Sequence, residues 1–109
     1  MRSPLCLVIA LAIGAVLTSN ADAATKRCPR DGELHIWVNA RTSCPFARTT
    51  AHAAIHAINA QGGAEDVLVH PFSSAVGHRV WMRCRVGASN LVVRCRGGRQ
   101  AYIRFRYGS

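Results

Sequence analysis

Between residues 79 and 107 the chain reads RVWMRCRV, NLVVRCR and QAYIRFRY, three segments in which apolar and charged side chains take turns. Successive side chains of a strand point to opposite faces, so a period of two describes a sheet with one face buried and the other wet. The connections are as short as Gly87-Ala88-Ser89 and Gly97-Gly98-Arg99, which joins neighbouring strands antiparallel. Parity then assigns the faces, because a slip of one residue would turn every arginine inward. Val80, Met82, Cys84 and Val86, then Leu91, Val93 and Cys95, then Ala101, Ile103, Phe105 and Tyr107 form the inner face. Trp81, Arg83 and Arg85, then Val92, Arg94 and Arg96, then Tyr102, Arg104 and Arg106 form the outer one.

A loop centred between Ser89 and Asn90 sets Val86 opposite Val93 and Cys84 opposite Cys95. The next turn must hold an odd number of residues, since a two-residue Gly-Gly turn would put Tyr102 inside. Centred on Gly98, it sets Cys95 opposite Ala101 and Val93 opposite Ile103. The outer rows then read Arg85, Arg94, Tyr102 and Arg83, Arg96, Gln100.

So apolar an inner face needs a cover, and TSCPFARTTAHAAIHAINAQGG supplies one. Thr42 or Ser43 caps this helix, Pro45 fits its first turn, and Gly62 and Gly63 stop it. At 100° per residue Phe46, Ala47, Thr50, Ala51, Ala54, Ile55, Ala57 and Ile58 share one arc, while Arg48, Thr49, His52, His56 and Asn59 share the other. Upstream, Leu34, Ile36 and Val38 alternate with His35, Trp37 and Asn39 as a half-buried strand, and DVLVHPF is a short strand ending near Pro71. The expected fold is α+β, a single small domain in the order β-α-β-β-β-β, with the helix packed on one face of a mainly antiparallel twisted sheet.

The N-terminus adds a compartment. MRSPLCLVIALAIGAVLTSNADAA has an early arginine, an apolar run from Leu5 to Leu17, and small Ala21 and Ala23 flanking Asp22. This is the pattern of a secretory signal peptide, residues 1–23, cleaved after Ala23, and the run is too short for the ~20 residues of a transmembrane anchor. The expected product is a secreted domain, residues 24–109, extracellular or held at the cell envelope. Losing Arg2 and Asp22 leaves the net charge at +9.

A domain this small buries too little surface to rest on its core alone. Cys28, Cys44, Cys84 and Cys95 remain after cleavage, an even set suited to disulfides in an oxidising compartment. The register makes Cys84 with Cys95 a cross-strand pair and leaves Cys28 for Cys44. The alternative joins both strand cysteines to Cys28 and Cys44 instead. No CxxC pair is present, so zinc has no foothold and no metal or cofactor is expected.

SCPFA at 43–47, MRC at 82–84 and VVRCRGG at 92–98 together resemble a group of small exported actinobacterial proteins and domains. These similarly combine a Thr-Ser-Cys-Pro-Phe-Ala helix start with later Met-x-Cys and Val-x-Cys-x-Gly-Gly strands. The resemblance is structural and implies no catalytic residue. The arginine richness departs from the group, so a shared role need not depend on it.

The outer face is then the informative surface. Arg83, Arg85, Arg94, Arg96, Arg104 and Arg106, interleaved with Trp81 and Tyr102, are the candidate anion-binding residues, because a guanidinium forks onto phosphate or carboxylate. Outside a cell the partners would be an anionic cell-wall polymer, a glycan or a phospholipid surface, and no specific nucleic acid. A solvated face with long stems lying over Val92 and the rings explains the same alternation without a ligand. Two further readings are a membrane-active or antagonistic cationic protein and an inhibitor of an extracellular enzyme. A ribonuclease would have to bring His35 or His70 together with Glu33 or Glu65. His52 and His56 have the i, i+4 spacing that metals use but lack a third ligand, so they are expected in solvent, and His35, His70 and His78 as strand or loop residues satisfied by water.

Overall fold

The computed structural model describes residues 23–87 and 91–108. Residues 1–22, which hold all but the last residue of the expected signal segment, residues 88–90, on which the expected loop centre falls, and Ser109 lie outside the described residues. The strands are β1 (Lys26–Arg27), β2 (Leu34–Val38), β3 (Asp66–Val69), β4 (Phe72–Ser73), β5 (His78–Arg79), β6 (Met82–Val86), β7 (Val92–Gly97) and β8 (Ala101–Tyr107), with helix α1 (Cys44–Ala60) after β2. Six of them form one antiparallel sheet in the order β1-β2-β8-β7-β6-β3, and β4 with β5 form a separate hairpin.

Helix α1 starts where Ser43 Oγ accepts the Phe46 N–H at 3.3 Å, with Pro45 in the first turn. It stops where the chain turns left-handed at Gly62 and Gly63. Ala47, Ala51 and Ala54 are fully buried, as is Thr50, whose hydroxyl donates to the Phe46 carbonyl at 2.9 Å. Small side chains let the helix settle close over β2 and β3. Ile55, Ala57 and Ile58 pack at the margin of the core, only half-buried. Beneath the helix lie Leu34, Ile36, Val38, Met82, Ile103 and Phe105, each at most 1 % exposed.

Both disulfides follow the cross-strand pairing. Cys28 joins Cys44, tying the entry to the first core strand to the helix N-terminus, with Cα atoms 5.6 Å apart. Cys84 joins Cys95 across β6 and β7 at a Cα separation of 4.0 Å. The Gly87 N–H donates to the directly opposite Val92 carbonyl. Alternation along the ladder therefore makes Cys84 and Cys95 a non-hydrogen-bonded pair, the closer of the two kinds of site.

Leu91 and Tyr107, expected on the inner face, are 70 % and 62 % exposed, and the strand layout differs from the sequence-based expectation in three details. First, the expected five strands are joined by β1 and by the β4–β5 hairpin, both two residues per strand. Second, RVWMRCRV does not run as one strand: β7 turns away after Gly97, which pairs with Met82, so Trp81 has no partner strand. The Val80 N–H donates instead to the Pro71 carbonyl at 2.8 Å. Third, β7 and β8 are shifted by two residues, with Cys95 opposite Ile103 and Val93 opposite Phe105.

The turn remains odd but holds Gly98, Arg99 and Gln100, because Gly97 stays in the ladder opposite Ala101. A β-carbon at Gly97 would overlap the Trp81 carbonyl oxygen and approach Met82 Sδ to 2.7 Å. Close approach, not turning, requires glycine there. Gly98 and Gln100 take the left-handed angles, at φ 54° and 63°.

A buried polar knot fixes this turn to the start of the helix. Asn39 Nδ2 donates to the Gln100 carbonyl at 2.8 Å, and its Oδ1 accepts the Thr42 hydroxyl at 2.6 Å. Thr42 Oγ1 in turn accepts the Tyr102 N–H at 3.0 Å.

Candidate functional site

With β8 seated between β2 and β7, the outer face carries one row across all six strands. From edge to edge it reads Asp66, Arg85, Arg94, Arg104, Trp37, Arg27. Neighbouring strands are about 4.8 Å apart, so these side chains rise in close succession. A second row reads Leu68, Arg83, Arg96, Tyr102, and a third Val92, Arg106, His35.

Arg85 meets Arg94, Arg94 meets Arg104, and Arg83 meets Arg96, all like charges directly opposite. That arrangement is unfavourable in a sheet. The acid within these rows is Asp66, 3.7 Å from Arg83 Nε and 3.6 Å from Arg85 Nε. These contacts are long and lie in solvent, where an ion pair contributes about 0–1 kcal/mol. Among the described residues they leave the centre of the row, at Arg94 and Arg104, without a carboxylate in ion-pair distance.

Aromatic rings take part of the load. The Arg104 guanidinium carbon lies 4.8 Å from the Trp37 ring centre and that of Arg27 lies 5.5 Å away, so Trp37 is flanked by cations from both adjacent strands. Arg96 sits 5.2 Å over Tyr102. A guanidinium stacked on a ring keeps its in-plane N–H groups for a second partner.

Arg83, Arg85, Arg94 and Arg96 are exposed, while Arg104 and Arg106 are half-buried. Tyr102 is only 5 % exposed, a seat for Arg96 and not a contact surface. Trp81 leaves the rows altogether and stacks on His70, with ring centres 3.9 Å apart and planes within 5°. The rows gain Arg27, His35 and Trp37 in exchange. Alternation already put His35 and Trp37 on the polar side of β2, but nothing local says that β2 adjoins β8.

His35 is buried: it is 6 % exposed, and Arg27 Nη2 donates to its Nδ1 at 3.2 Å. A guanidinium cannot accept, so Nδ1 is the acceptor in this contact and the other ring nitrogen is Nε2. That Nε2 and the Nε of neighbouring Arg106 are enclosed without a hydrogen-bond partner among the described residues.

The other histidines do not assemble a centre. His52 Nε2 meets Asp31 Oδ2 at 2.9 Å on the helix's solvent side, and His56 is exposed. His78 Nδ1 donates to the Arg79 carbonyl. His35 contacts Arg27 and His70 stacks on Trp81, and among the described residues neither makes an ion pair with Glu33 or Glu65. No cluster of three or more metal-ligating side chains occurs among the described residues. Nor does any helix among them have the length and apolarity to cross a membrane. The inner face of the β6–β7–β8 meander lies in the core with α1, so its apolar side is not offered to lipid. Comparison with protein-family models, with curated proteins and with solved structures gives no match.

Proposed function

We propose that the protein is a secreted or envelope-associated, non-enzymatic binder of extracellular polyanions, and that the outer sheet face is its contact surface. The observation that carries this reading is the row Arg85, Arg94, Arg104 with Arg27 beyond Trp37, in which Asp66 at one edge is the lone acid. Guanidinium groups held opposite one another raise the free energy of the unliganded face, and an anionic polymer laid across the strands relieves it. The ligand class is an anionic wall polymer, a glycan or a phospholipid surface. The two disulfides suit an oxidising compartment, and the early apolar run with its small-residue cleavage pattern supplies the export signal.

Net charge alone would also hold the protein on an anionic column, so the test compares two doubly neutralised variants. Arg85→Gln/Arg94→Gln removes adjacent members of the row, and Arg30→Gln/Arg48→Gln removes equal charge elsewhere. On heparin and on phosphocellulose the row variant should elute at clearly lower salt than the control pair. The slope of log K against log salt should fall by about one for each anionic group that the row variant no longer neutralises. Equal shifts for the two variants would refute a defined face.

A further inference from the structure

A cleft of about 680 Å³ opens where the β7–β8 turn, the start of α1 and the β4–β5 hairpin converge, and none of the outer-face arginines lines it. Its charge is of one sign. Lys26, Arg41, Arg79 and Arg99 stand around it, and no Asp or Glu does. No carboxylate lies within ion-pair distance of these four among the described residues.

The rest of the lining sets apolar Phe46, Val76, Val80 and Trp81 beside polar Thr42, Ser43, Ser73 and His78. Val76 and Trp81 are 53 % and 56 % exposed, large apolar side chains that both line the concavity. Two of the wall residues are held in place. Trp81 is stacked on His70, and Arg79 Nη1 donates to the His70 carbonyl at 2.9 Å. The hairpin that carries Val76 and Arg79 adds nothing to the main sheet.

A volume of this size falls within the range of about 300–1,000 Å³ usual for small-molecule sites. Apolar walls under uncompensated cations complement a molecule with an apolar body and an anionic head. We infer that this cleft binds a small amphiphilic anion, an aryl or short alkyl group bearing a phosphate, sulfate or carboxylate. The inference shares no residue with the polyanion face and stands apart from it.

The test is calorimetric titration of the oxidised protein with 1-naphthyl phosphate and with octyl phosphate below its micelle concentration. Inorganic phosphate and 1-naphthol serve as the head and the body alone. At least one of the two amphiphiles should bind about tenfold or more tighter than either fragment. A stronger naphthyl phosphate points to an aromatic ligand, and a stronger octyl phosphate to a single-chain lipid. Arg41 and Arg99 are exposed, so Arg41→Gln/Arg99→Gln should fold, which circular dichroism checks. It should weaken the amphiphile about tenfold or more, while Arg85→Gln/Arg94→Gln leaves it unchanged. Amphiphiles no tighter than phosphate, unchanged affinity in the cleft variant, or weaker binding in the row variant would each overturn the assignment.

Discussion

Replacing Arg94 by Gln should make the domain more stable and a poorer ligand for anions. Arg94 stands on β7 directly between Arg85 on β6 and Arg104 on β8, and it is exposed. If the guanidinium heads of facing residues are taken as roughly 7 Å apart, each such pair repels by about 0.6 kcal/mol at the dielectric constant of water. Two pairs therefore cost about 1.2 kcal/mol before screening, and a Debye length of about 10 Å in 0.1 M salt halves this. Gln keeps part of the aliphatic stem and removes the charge, so the expected gain is about 0.6 kcal/mol, or roughly 2–5 °C in Tm. Thermal unfolding followed by circular dichroism would compare wild type, Arg94→Gln and Arg94→Lys at about 0.02 M and about 0.5 M NaCl. Arg94→Gln should lead at low salt, its advantage should fade at high salt, and Arg94→Lys should track wild type. If Arg94→Gln proves less stable at low salt, or its advantage ignores salt, the row is not under repulsion and loses its reason to seek an anion.

Two further outcomes concern the frame that holds the row. Removing the Cys84–Cys95 bridge with a double alanine variant opens a loop of sequence separation 11, which should cost about 3 kcal/mol on chain entropy; an unchanged urea midpoint would contradict this. Gly97→Ala places a methyl on the Trp81 carbonyl oxygen and 2.7 Å from Met82 Sδ. It should destabilise by about 1–3 kcal/mol, and wild-type stability in urea would show that β6 and β7 can part there without penalty.

The sheet was legible in the sequence wherever periodicity and parity alone decide. Cys84 opposite Cys95, the arginines on one side and the buried helix arc from Phe46 to Ala54 all follow from counting residues. The two-residue shift between β7 and β8 was not legible, because Gly97 and Gly98 look alike in a sequence. What separates them is the proximity of the Trp81 carbonyl, a contact from another strand. The junction of β2 with β8 is similarly silent, since no local pattern names a partner some 70 residues away. Because of it His35 is buried, and the rows extend to Trp37 and Arg27. Trp81 shows the reverse: its parity is right for the outer face, but β7 has already turned away.

The position of β8 also bears on the order in which the chain can fold. The strand that follows all others in the sequence is inserted between β2 and β7, so the two halves of the sheet cannot join until it arrives. Both disulfides close over short separations, 16 and 11 residues, the first between the entry to β2 and the start of α1 and the second between β6 and β7. Cys28 can find Cys44, and Cys84 can find Cys95, before Ile103 and Phe105 are in place. Oxidation is thus independent of the slow long-range step, and a chain halted before β8 would keep correct cross-links but leave its sheet divided.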